Sequence, residues 1–585
     1  MLTRIEYTKP LKILLMSTKH NALSQRIALE LQRKNYNIKI QEVQTRECMI
    51  SAEQRENPDL IICPFLKTRI PRELWSRKPC LILHPGIEGD RGATSLDWAI
   101  KDKRAEWGAT VLQADDQFDH GPIWSTGNFP MNRPDQNTLT KASVYGHEVT
   151  DTAAHCMTQA IEHFTNSTPP RTLDYSRAEV QGELVRNMRR QDRVINWNEE
   201  QESVALRVKM SDSSPGAIAS FQLTSDSQPF WSELFRAFGA HLETGDLRNL
   251  KGEPGQILGQ RDNAILVKCG KGALWLSHLK CDLIKLPAMT WIRRKNPHCD
   301  HIPVLEENIL TDSRAPLPLV PYGQTPATFH FQEIWVTMTA DGVFFVNFNF
   351  YNGAMSTYQA KNLESILRRV EESGLCKVIV LKGGYNFFSN GINLNTIESS
   401  SDPVSESWSN INAINDVVRR IATSSKITIS ALQGNAGAGG FMMSLASDMV
   451  VARQGVILNP HYRRMHLTGS EYHTYFLAER LGEAEASQLL DTAEPVLAET
   501  AVDTGLVDQV LGYGVVQFQE QVEDLARRMA RYGTVPRVTL RREERKKVQD
   551  FPQLLERRRA MELEAMARDF RGASYAEARR AFVLH

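Results

Sequence analysis

The feature that most constrains the fold is an alternation of short apolar runs with helical patterns, which occurs twice along the chain. Between residues 11 and 164, apolar runs such as LKILLMS and CLILH are separated by stretches with helical periodicity. The alternation resumes at residue 329 and includes KVIVLKG and KITISAL. Strands separated by helices predict parallel α/β sheets with both faces covered. We therefore expect two α/β modules.

The region between the two alternating parts has a different pattern. Short strand-like runs such as AIASFQL and ALWLSHLK are separated by Gly, Asp and Asn, which predicts a small antiparallel β domain of the barrel type. A segment without a periodic apolar face follows, and it contains four prolines: Pro316, Pro318, Pro321 and Pro326. Prolines in such a segment are typical of an extended, semi-rigid linker.

These patterns predict an α/β multidomain protein with three domains and a linker. We expect an α/β domain at 1–193, the β domain at 194–310, the linker at 311–328 and a second α/β domain at 329–585. The last domain is predicted to end in a long charged helical stretch from about Val538 to Phe570, with RREERKK as a solvated face. A chain of 585 residues is long enough for several hydrophobic cores.

Charge and cysteine content narrow the classes of function. The 69 Lys and Arg residues balance 69 Asp and Glu residues, so the chain lacks the basic excess that favours nucleic-acid binding. The eight cysteines have no paired spacing, which is typical of a reducing compartment. Adjacent side chains such as those of HCDH at 298–301 rarely converge on one metal ion. Without a signal peptide or a membrane-length apolar run, we expect a cytoplasmic protein that binds no nucleic acid, membrane or metal.

Two polar segments follow predicted strands of the first α/β module. CLILH ends in His84, and Asp119 lies in a loop after the run WGATVLQAD. Ligands of α/β sheets bind beyond the carboxyl ends of strands, where a carboxylate could orient an imidazole and favour its protonated form. The two residues form a candidate general acid/base pair. The alternative is that both only cap turns.

The motifs around this pair resemble those of the 10-formyltetrahydrofolate transferase and hydrolase family. The shared order is His-Pro at His84, Arg91-Gly92, a Gly-x-Thr strand at 108–110 and an Asp-x-Gly-Pro-Ile turn at 119–123, and INWN and PGAIASF resemble the C-terminal domain of that family. The resemblance implies a Rossmann-like domain in which His84 and Asp119 act on the formyl group. It also implies that Arg91 and Gly92 help to bind N10-formyltetrahydrofolate.

One position departs from the family pattern. The asparagine expected two residues before the histidine is Ile82 here. An isoleucine cannot donate a hydrogen bond to an oxyanion, and the loss of one such donor typically costs about 3 kcal/mol. Either another donor replaces it, or the acceptor of the formyl group differs from the amine or water that the family uses.

Two glycine-containing loops follow strands of the second α/β module. FFSNGINL at 387–394 comes after KVIVLKG, and QGNAGAGGFMMSLASD at 433–448 comes after KITISAL. Glycines allow a close approach of the backbone to a ligand, and a following helix N-terminus directs N–H groups at negative charge. The two loops could form an oxyanion hole. The alternative is a pair of tight strand-to-helix turns.

These loops resemble those of the crotonase or enoyl-CoA hydratase superfamily, over about residues 329–512. The resemblance implies a crotonase-like ββα domain and an oxyanion hole built from the N–H groups of Ile392 and Gly439. It also implies a binding site for coenzyme A that is lined by neighbouring residues of the two loops: Asn390, Gly391, Ala438 and Gly440.

Hydration of an enoyl-CoA is not expected, because the two catalytic glutamates of hydratases are Met442 and His461 here. His461, Tyr462 and Glu471 remain as candidate catalytic residues of the second module. Glu471, in the sequence GSEY, falls in a loop that borders the active site in this superfamily. A structural role is the alternative for each of the three.

The order of the two halves resembles the HypX/HoxX family of hydrogenase maturation factors. This resemblance implies that folate and coenzyme A are the small-molecule substrates, and that hydrogenase maturation proteins or a hydrogenase subunit are partners. The formyl group would pass to coenzyme A, and formyl-CoA would lose its proton to Glu471 and release carbon monoxide. Three alternatives are a formyl-tetrahydrofolate hydrolase with an inactive coenzyme A module, a non-catalytic assembly scaffold, and a tRNA formyltransferase, against which Ile82 and the balanced charge count.

Overall fold

The structure, a computed structural model, describes residues 11–222, 235–295, 299–305, 320–321 and 331–584. They form two compact units. The first runs to Val194 and includes 209–214, and the second comprises 195–208 and the chain from 215 onward. The exact bounds of the four segments predicted from the sequence (1–193, 194–310, 311–328 and 329–585) stay a prediction.

The first unit is built around a six-stranded sheet in the order β2-β1-β3-β4-β5-β6. Its strands are β1 (Lys12–Ser17), β2 (Asn37–Glu42), β3 (Leu60–Phe65), β4 (Cys80–His84), β5 (Glu106–Gln113) and β6 (Ile123–Pro130). Its helices are α1 (Ala22–Arg33), α2 (Arg46–Glu56), α3 (Arg72–Trp75), α4 (Ser95–Lys101), α5 (Lys141–Val144) and α6 (Thr150–Thr165). Helices α1 and α6 share a core with one face of the sheet, and α2 packs on the other face.

The prediction of a parallel sheet in this unit is confirmed for four of its strands and is wrong for β5. Strands β1 to β4 are parallel to one another, but β5 runs antiparallel to both β4 and β6. The connection from β5 to β6 contains no helix, and such a connection brings the chain back antiparallel. The apolar pattern of a buried strand carries no information about its direction, so the sequence could not show this reversal.

The second unit begins with an antiparallel sheet in the order β7-β8-β11-β10-β9, with β12 beside β11. Its elements are α7 (Gln201–Lys209), β7 (Ala217–Ala219), β8 (Phe235–Leu242), β9 (Ile257–Arg261), β10 (Ala264–Lys268), β11 (Ala273–Cys281), β12 (Ile284–Pro287) and α8 (Ala288–Lys295). The two edges meet at Gln222, whose N–H donates to the carbonyl oxygen of Gly255 and whose carbonyl oxygen accepts from Ile257, at 2.9 and 2.8 Å. The expected small antiparallel barrel is confirmed.

Two further sheets form the centre of the crotonase-like part of this unit, in the orders β13-β14-β15-β16-β18-β20-β23 and β17-β19-β21-β22. Their strands are β13 (Val320–Pro321), β14 (Ile334–Met338), β15 (Val343–Phe348), β16 (Val378–Lys382), β17 (Phe387–Ser389), β18 (Ile427–Leu432), β19 (Asn435–Gly437), β20 (Met449–Arg453), β21 (Ile457–Asn459), β22 (Val496–Leu497) and β23 (Gln509–Leu511). Apart from β13, which lies at a sheet edge where a proline is tolerated, the predicted linker lies outside the described residues.

Helices surround these sheets and form the C-terminal end of the chain. They are α9 (Thr357–Glu372), α10 (Leu394–Glu398), α11 (Pro403–Ala422), α12 (Gly439–Leu445), α13 (His473–Leu481), α14 (Glu483–Thr492), α15 (Ala498–Thr504), α16 (Val515–Tyr532), α17 (Pro536–Lys547), α18 (Phe551–Arg571) and α19 (Ala573–Leu584). The stretch predicted to be one long helical region is divided between α17 and α18. Asp550 has a left-handed φ of 54°, and Pro552 in the first turn of α18 lacks the N–H that a continuous helix would need.

The prediction that RREERKK forms a solvated face holds for Glu543, Glu544, Lys546 and Lys547, which are exposed, and is wrong for its three arginines. This segment of α17 directs arginines at carboxylates of other elements. Arg541 pairs with Asp508 at 2.9 Å, and Arg545, which is 5% exposed, pairs with Glu479 at 2.7 Å. These ion pairs fasten α17 to the crotonase-like core, and a charge pattern alone cannot show that a charged face meets opposite charges.

The barrel packs on the crotonase-like part through Tyr351. The ring of His278 stacks on that of Tyr351 with centroids 4.4 Å apart, and Nζ of Lys285 donates to the Tyr351 hydroxyl at 2.9 Å. Burial, together with the charge of Lys285, lowers the pKa of His278 to about 3, so this ring is neutral. The turn that begins at Tyr351 accepts two hydrogen bonds from Asn390, both of 2.7 Å. The barrel thus supports the turn on which Asn390 rests.

The structure bears on three further expectations. Within the described ranges, no helix has the length and apolarity needed to span a membrane. All eight cysteines lie among the described residues, and none of them is in a disulfide. Over the same ranges, no three His, Cys, Asp or Glu side chains are grouped so that they could hold a metal ion. His298, the first residue of HCDH, lies outside the described residues.

Candidate active sites

His84 ends β4 and lies between two carboxylates in the first unit. Its Nε2 is 2.6 Å from Oδ2 of Asp90, and its Nδ1 is 3.5 Å from Oδ2 of Asp119. The side chains of His84 and Asp90 are 5% and 3% exposed, whereas that of Asp119 is 20% exposed. The structure therefore brings the predicted pair together and adds Asp90. Of the two carboxylates, that of Asp119 is the more accessible.

The charges around His84 influence its protonation. Burial alone would lower the pKa of the imidazole. The hydrogen bond with Asp90 and the negative charges of Asp119 and Asp90 outweigh burial and raise the pKa of His84 above its usual value. The imidazolium, which can donate a proton to a leaving amine, is therefore kept to a higher pH than in a free histidine.

Gly86 makes the contact between His84 and Asp90 possible. A β-carbon at Gly86 would lie 2.4 Å from Oδ2 of Asp90 and 2.5 Å from Nε2 of His84, so any side chain there would separate the two groups. Thr110, opposite His84 on β5, donates its hydroxyl to the Gly86 carbonyl oxygen at 2.9 Å. The loop after β4 is thus held in the shape that turns Asp90 back to the imidazole.

Arg91 and Gly92, which we predict to contact the folate, have roles within the protein. Nε of Arg91 donates to the carbonyl oxygen of Phe118, directly before Asp119, at 3.0 Å. Gly92 has a φ of +137°, and a β-carbon there would lie 2.9 Å from a backbone carbonyl oxygen. Arg91 therefore joins the loop after β4 to the loop that carries Asp119. The contact of these two residues with the folate stays a prediction.

Ile82 lies two residues before His84 on β4. Side chains two residues apart on a strand point to the same face of the sheet, so Ile82 and His84 share a face. Ile82 is half-buried and packs against an apolar cluster of the first unit. It has no hydrogen-bonding group at the position where the resemblance leads us to expect an asparagine.

Gly391 and Gly439 bring two loops of the second unit face to face. A β-carbon at Gly391, which has a φ of +75°, would lie 3.1 Å from the backbone nitrogen of Gly439. Gly439 is the first residue of α12, and the N–H groups of a first helical turn have no acceptor within the helix. Among the residues that the structure describes, neither the Gly439 nor the Ile392 N–H has an acceptor. Free N–H groups on facing loops are what an oxyanion hole needs.

The carboxyl group of Glu471 lies directly against Gly439. A β-carbon at Gly439 would be 1.9 Å from Oε1 of Glu471. The hydroxyl of Tyr462 donates to the other oxygen, Oε2, at 2.6 Å. Glu471 is 1% and Tyr462 is 4% exposed. Three of the predicted residues thus meet at one buried point.

Burial sets the ionisation of this pair. It raises the pKa of Glu471 to about 7, against the lowering effect of the hydrogen bond from Tyr462, and the charge of Glu562 adds to the rise. Burial and the charge of Glu471 raise the pKa of the Tyr462 phenol well above its usual range, so the phenol keeps its proton. A carboxyl group with a pKa near 7 is suited to take and return a proton at neutral pH.

The other residues predicted for this site shape its two loops. Ala438 is the N-cap of α12, and both Ala438 and His461 donate a backbone N–H to the carbonyl oxygen of Asn459, at 2.7 and 2.9 Å. A β-carbon at Gly440 would lie 2.1 Å from a carbonyl oxygen of β17. Ala438, His461 and Gly440 take no part in the hydrogen bond between Tyr462 and Glu471. Their contact with coenzyme A, and that of Asn390 and Gly391, stays a prediction.

Sequence reasoning missed three residues that support the two sites. Asp90 could have been found, because it is an acidic residue in the polar loop that follows His84. Asn415 on α11 accepts the N–H of Glu471 at 3.0 Å, and Glu562 on α18 accepts the N–H of the next residue at 2.9 Å. Both lie far from Glu471 along the chain, and no local pattern marks them.

Three family models match this chain, two in its first half and one in its second half. Residues 16–150 match the Formyl transferase family, 187–296 match Formyl transferase, C-terminal domain, and 340–583 match Enoyl-CoA hydratase/isomerase. Residues of the crotonase-like part are also similar to 4-chlorobenzoyl coenzyme A dehalogenase-2 from Arthrobacter sp., with 27% identity over 195 residues, which covers 32% of this chain and 70% of that protein.

Other relatives match along the whole chain. Hydrogenase maturation factor HoxX from Bradyrhizobium diazoefficiens is 33% identical over 584 residues, which covers 98% of this chain and 94% of the relative. The crystal structure of HypX from Aquifex aeolicus in complex with tetrahydrofolic acid has a TM-score of 0.86 at 33% identity, and covers 98% of this chain and 96% of that one. A crystal structure of a double variant of the same HypX gives a TM-score of 0.86 at 32% identity, with coverage of 98% and 96%. The chain therefore belongs to the HoxX/HypX family of hydrogenase maturation factors.

Proposed function

We propose that this protein takes the formyl group of N10-formyltetrahydrofolate, passes it to coenzyme A as formyl-CoA, and releases carbon monoxide for the [NiFe] hydrogenase active site. The observation that carries the proposal is the buried carboxyl group of Glu471, which lies against Gly439 and accepts a hydrogen bond from Tyr462. A base beside free amide N–H groups is what the removal of a proton from a bound thioester requires.

The first step would take place at His84. The sulfur of coenzyme A attacks the formyl carbon, a C–S bond forms, and the bond from that carbon to N10 of the folate breaks. Asp90 occupies Nε2 of His84, so the Nδ1 edge beside Asp119 would face the formyl group. Asp119 accepts the thiol proton, and the imidazolium donates its proton to N10. The products are tetrahydrofolate and formyl-CoA.

The second step would take place at Glu471. The N–H groups of Ile392 and Gly439 bind the thioester oxygen while the Glu471 carboxylate removes the formyl proton. The C–H electron pair becomes the lone pair on the carbon of carbon monoxide, an oxygen lone pair forms the third C–O bond, and the C–S bond breaks with its electrons on sulfur. Glu471 then returns the proton to the thiolate. Carbon monoxide and coenzyme A leave, and no oxidant or reductant is needed.

The cofactors follow from the same proposal. The Formyl transferase match and the tetrahydrofolic acid in HypX from Aquifex aeolicus support the folate as formyl donor, and the Enoyl-CoA hydratase/isomerase match supports coenzyme A. We expect hydrogenase maturation proteins or a hydrogenase subunit to receive the carbon monoxide. Cysteines that form no disulfide are in keeping with a cytoplasmic reaction.

The test is release of carbon monoxide from the purified full-length protein, measured by the spectral shift of haemoglobin, with formyl-labelled folate in the presence and absence of coenzyme A. We expect labelled carbon monoxide only when coenzyme A is present. His84→Ala should leave the folate unconsumed, whereas Glu471→Gln should still consume it and accumulate formyl-CoA. Labelled formate without carbon monoxide would make the protein a hydrolase, and hydrogenase maturation that survives His84→Ala would make it a scaffold.

A further inference from the structure

The loop that carries Glu471 has an unusual backbone. Glu471 and Tyr472 have φ values of +61° and +57°. Residues other than glycine rarely adopt this left-handed conformation, and each such residue costs roughly 1–2 kcal/mol. Two in succession persist only where the surrounding structure holds them in place. The contacts that hold this loop therefore decide where the carboxyl group of Glu471 lies.

Those contacts come from two helices that are distant in sequence. Asn415 of α11 accepts the N–H of Glu471 at 3.0 Å. Glu562 of α18 uses both of its carboxylate oxygens: Oε2 accepts the N–H of Tyr472 at 2.9 Å, and Oε1 accepts the N–H and the hydroxyl of Thr474 at 2.9 and 2.6 Å. The side chain of Glu562 is 0% exposed. Its carboxylate thus binds the backbone immediately after Glu471.

Helix α18 holds the start of the same loop as well. Oδ2 of Asp569 accepts the N–H of Thr468 at 2.6 Å, and Sδ of Met566 lies 3.3 Å from the backbone nitrogen of Gly469. The spacing of Glu562, Met566 and Asp569 places them on one face of the helix. Helix α13, which follows the loop, has no side-chain cap of its own, so Glu562 also serves the unpaired N–H groups at its N-terminus.

We propose that Glu562 is a positioning residue of the second site, which holds Glu471 against Gly439 by fixing the strained backbone beside it and adjusts the ionisation of Glu471 through its own charge. This inference rests on the proposed function of Glu471 as the base. Glu562 touches no substrate in this scheme. Helix α18 thereby helps to position the proposed base through Glu562.

Three titratable groups around Glu471 are relevant to its ionisation. They are Tyr462, which donates to Glu471 at 2.6 Å, Glu562 on α18, and His473 at the start of α13, whose Nδ1 is 3.4 Å from Oε1 of Glu562. After burial, the charge of Glu562 is a further cause that raises the pKa of Glu471. Removal of that charge should therefore let Glu471 ionise at a lower pH.

The experiment compares Glu562→Gln with two other variants of the full-length protein. Glu564→Gln is the matched control, since it lies on the same helix with a side chain 76% exposed. Thr474→Val removes one hydrogen bond to Glu562 and keeps its charge. The readouts are kcat and KM for carbon monoxide release from formyl-CoA against pH, and the titration of the buried carboxyl group by infrared difference spectroscopy, with Glu471→Gln to assign the band.

For Glu562→Gln we expect the acid limb of kcat and the infrared titration to move down together by about one pH unit, with a lower plateau of kcat and little change in KM. Thr474→Val should lower kcat without moving the acid limb of its pH profile. Glu564→Gln should match the wild type in both respects. An infrared titration of Glu562→Gln that matches that of the wild type would overturn the inference. If Glu562→Gln does not fold, a kcat of Thr474→Val equal to that of the wild type would overturn it.

The infrared titration separates this inference from the proposed function, because it needs no turnover. If the wild type releases no carbon monoxide but the carboxyl band still shifts in Glu562→Gln, the decarbonylation proposal fails and the positioning role of Glu562 stands.

Discussion

Removal of the Tyr462 hydroxyl is the most informative single perturbation of the second site. Tyr462→Phe deletes the donor that lies 2.6 Å from Oε2 of Glu471 and leaves the ring. A hydrogen bond to a charged group contributes about 1.5–3 kcal/mol, and about 1.4 kcal/mol corresponds to one pKa unit. The pKa of Glu471, raised by burial to about 7, should therefore rise by a further 1–2 units, to roughly 8–9.

The assay is carbon monoxide release from formyl-CoA across neutral and alkaline pH. A base acts only when ionised, so the rate of Tyr462→Phe at neutral pH should fall by roughly 5-fold to 50-fold and recover as the pH rises through the new pKa. Tyr475→Phe is the control, because its hydroxyl donates to Glu479 on α13 at 3.3 Å. An acid limb that does not move, or a variant that stays inactive at every pH, would refute the assignment of Glu471 as a base supported by Tyr462.

Two further predictions concern the other contacts. Asp90→Asn removes the negative charge and leaves at most a neutral, weaker hydrogen bond in place of the one that raises the pKa of His84. Folate consumption, which needs the imidazolium, should therefore be lost at a lower pH than in the wild type; an unchanged pH profile of folate consumption would show that Asp90 does not govern His84. Gly439→Ala would place a β-carbon 1.9 Å from Oε1 of Glu471, so carbon monoxide release should fall by about 100-fold or more while folate consumption continues. Equal loss of both reactions would mean that the alanine disturbs more than the second site.

The strands and most helices could be predicted because their signal is local. The apolar runs that end in His84 and precede Asn390 mark strands by themselves, and both lie where the sequence places them. Direction is a tertiary property, and the reversed β5 shows that an apolar run does not contain it. The break before α18 was visible as Pro552, although the charged pattern around it continues.

The candidate sites show the same division. The pair His84 and Asp119 and the glycine loops could be predicted because each motif is contiguous and follows a strand. Glu562 could not be predicted as their partner, since it accepts a hydrogen bond from Tyr472, which lies 90 residues earlier in the chain. The ion pair of Arg545 with Glu479 was missed for a related reason, because a helix face rich in charge looks the same in sequence when it faces water or carboxylates.

The barrel matches a formyltransferase domain in sequence, but it packs on the crotonase-like part of the chain. Its family match ends at residue 296, yet it shares a compact unit with the chain that follows, and His278 and Lys285 meet Tyr351 across that join. A barrel without His278 and Lys285 would leave Tyr351 without its stacking partner and its hydrogen-bond donor. Replacing the barrel would therefore also alter the turn that accepts the two hydrogen bonds of Asn390.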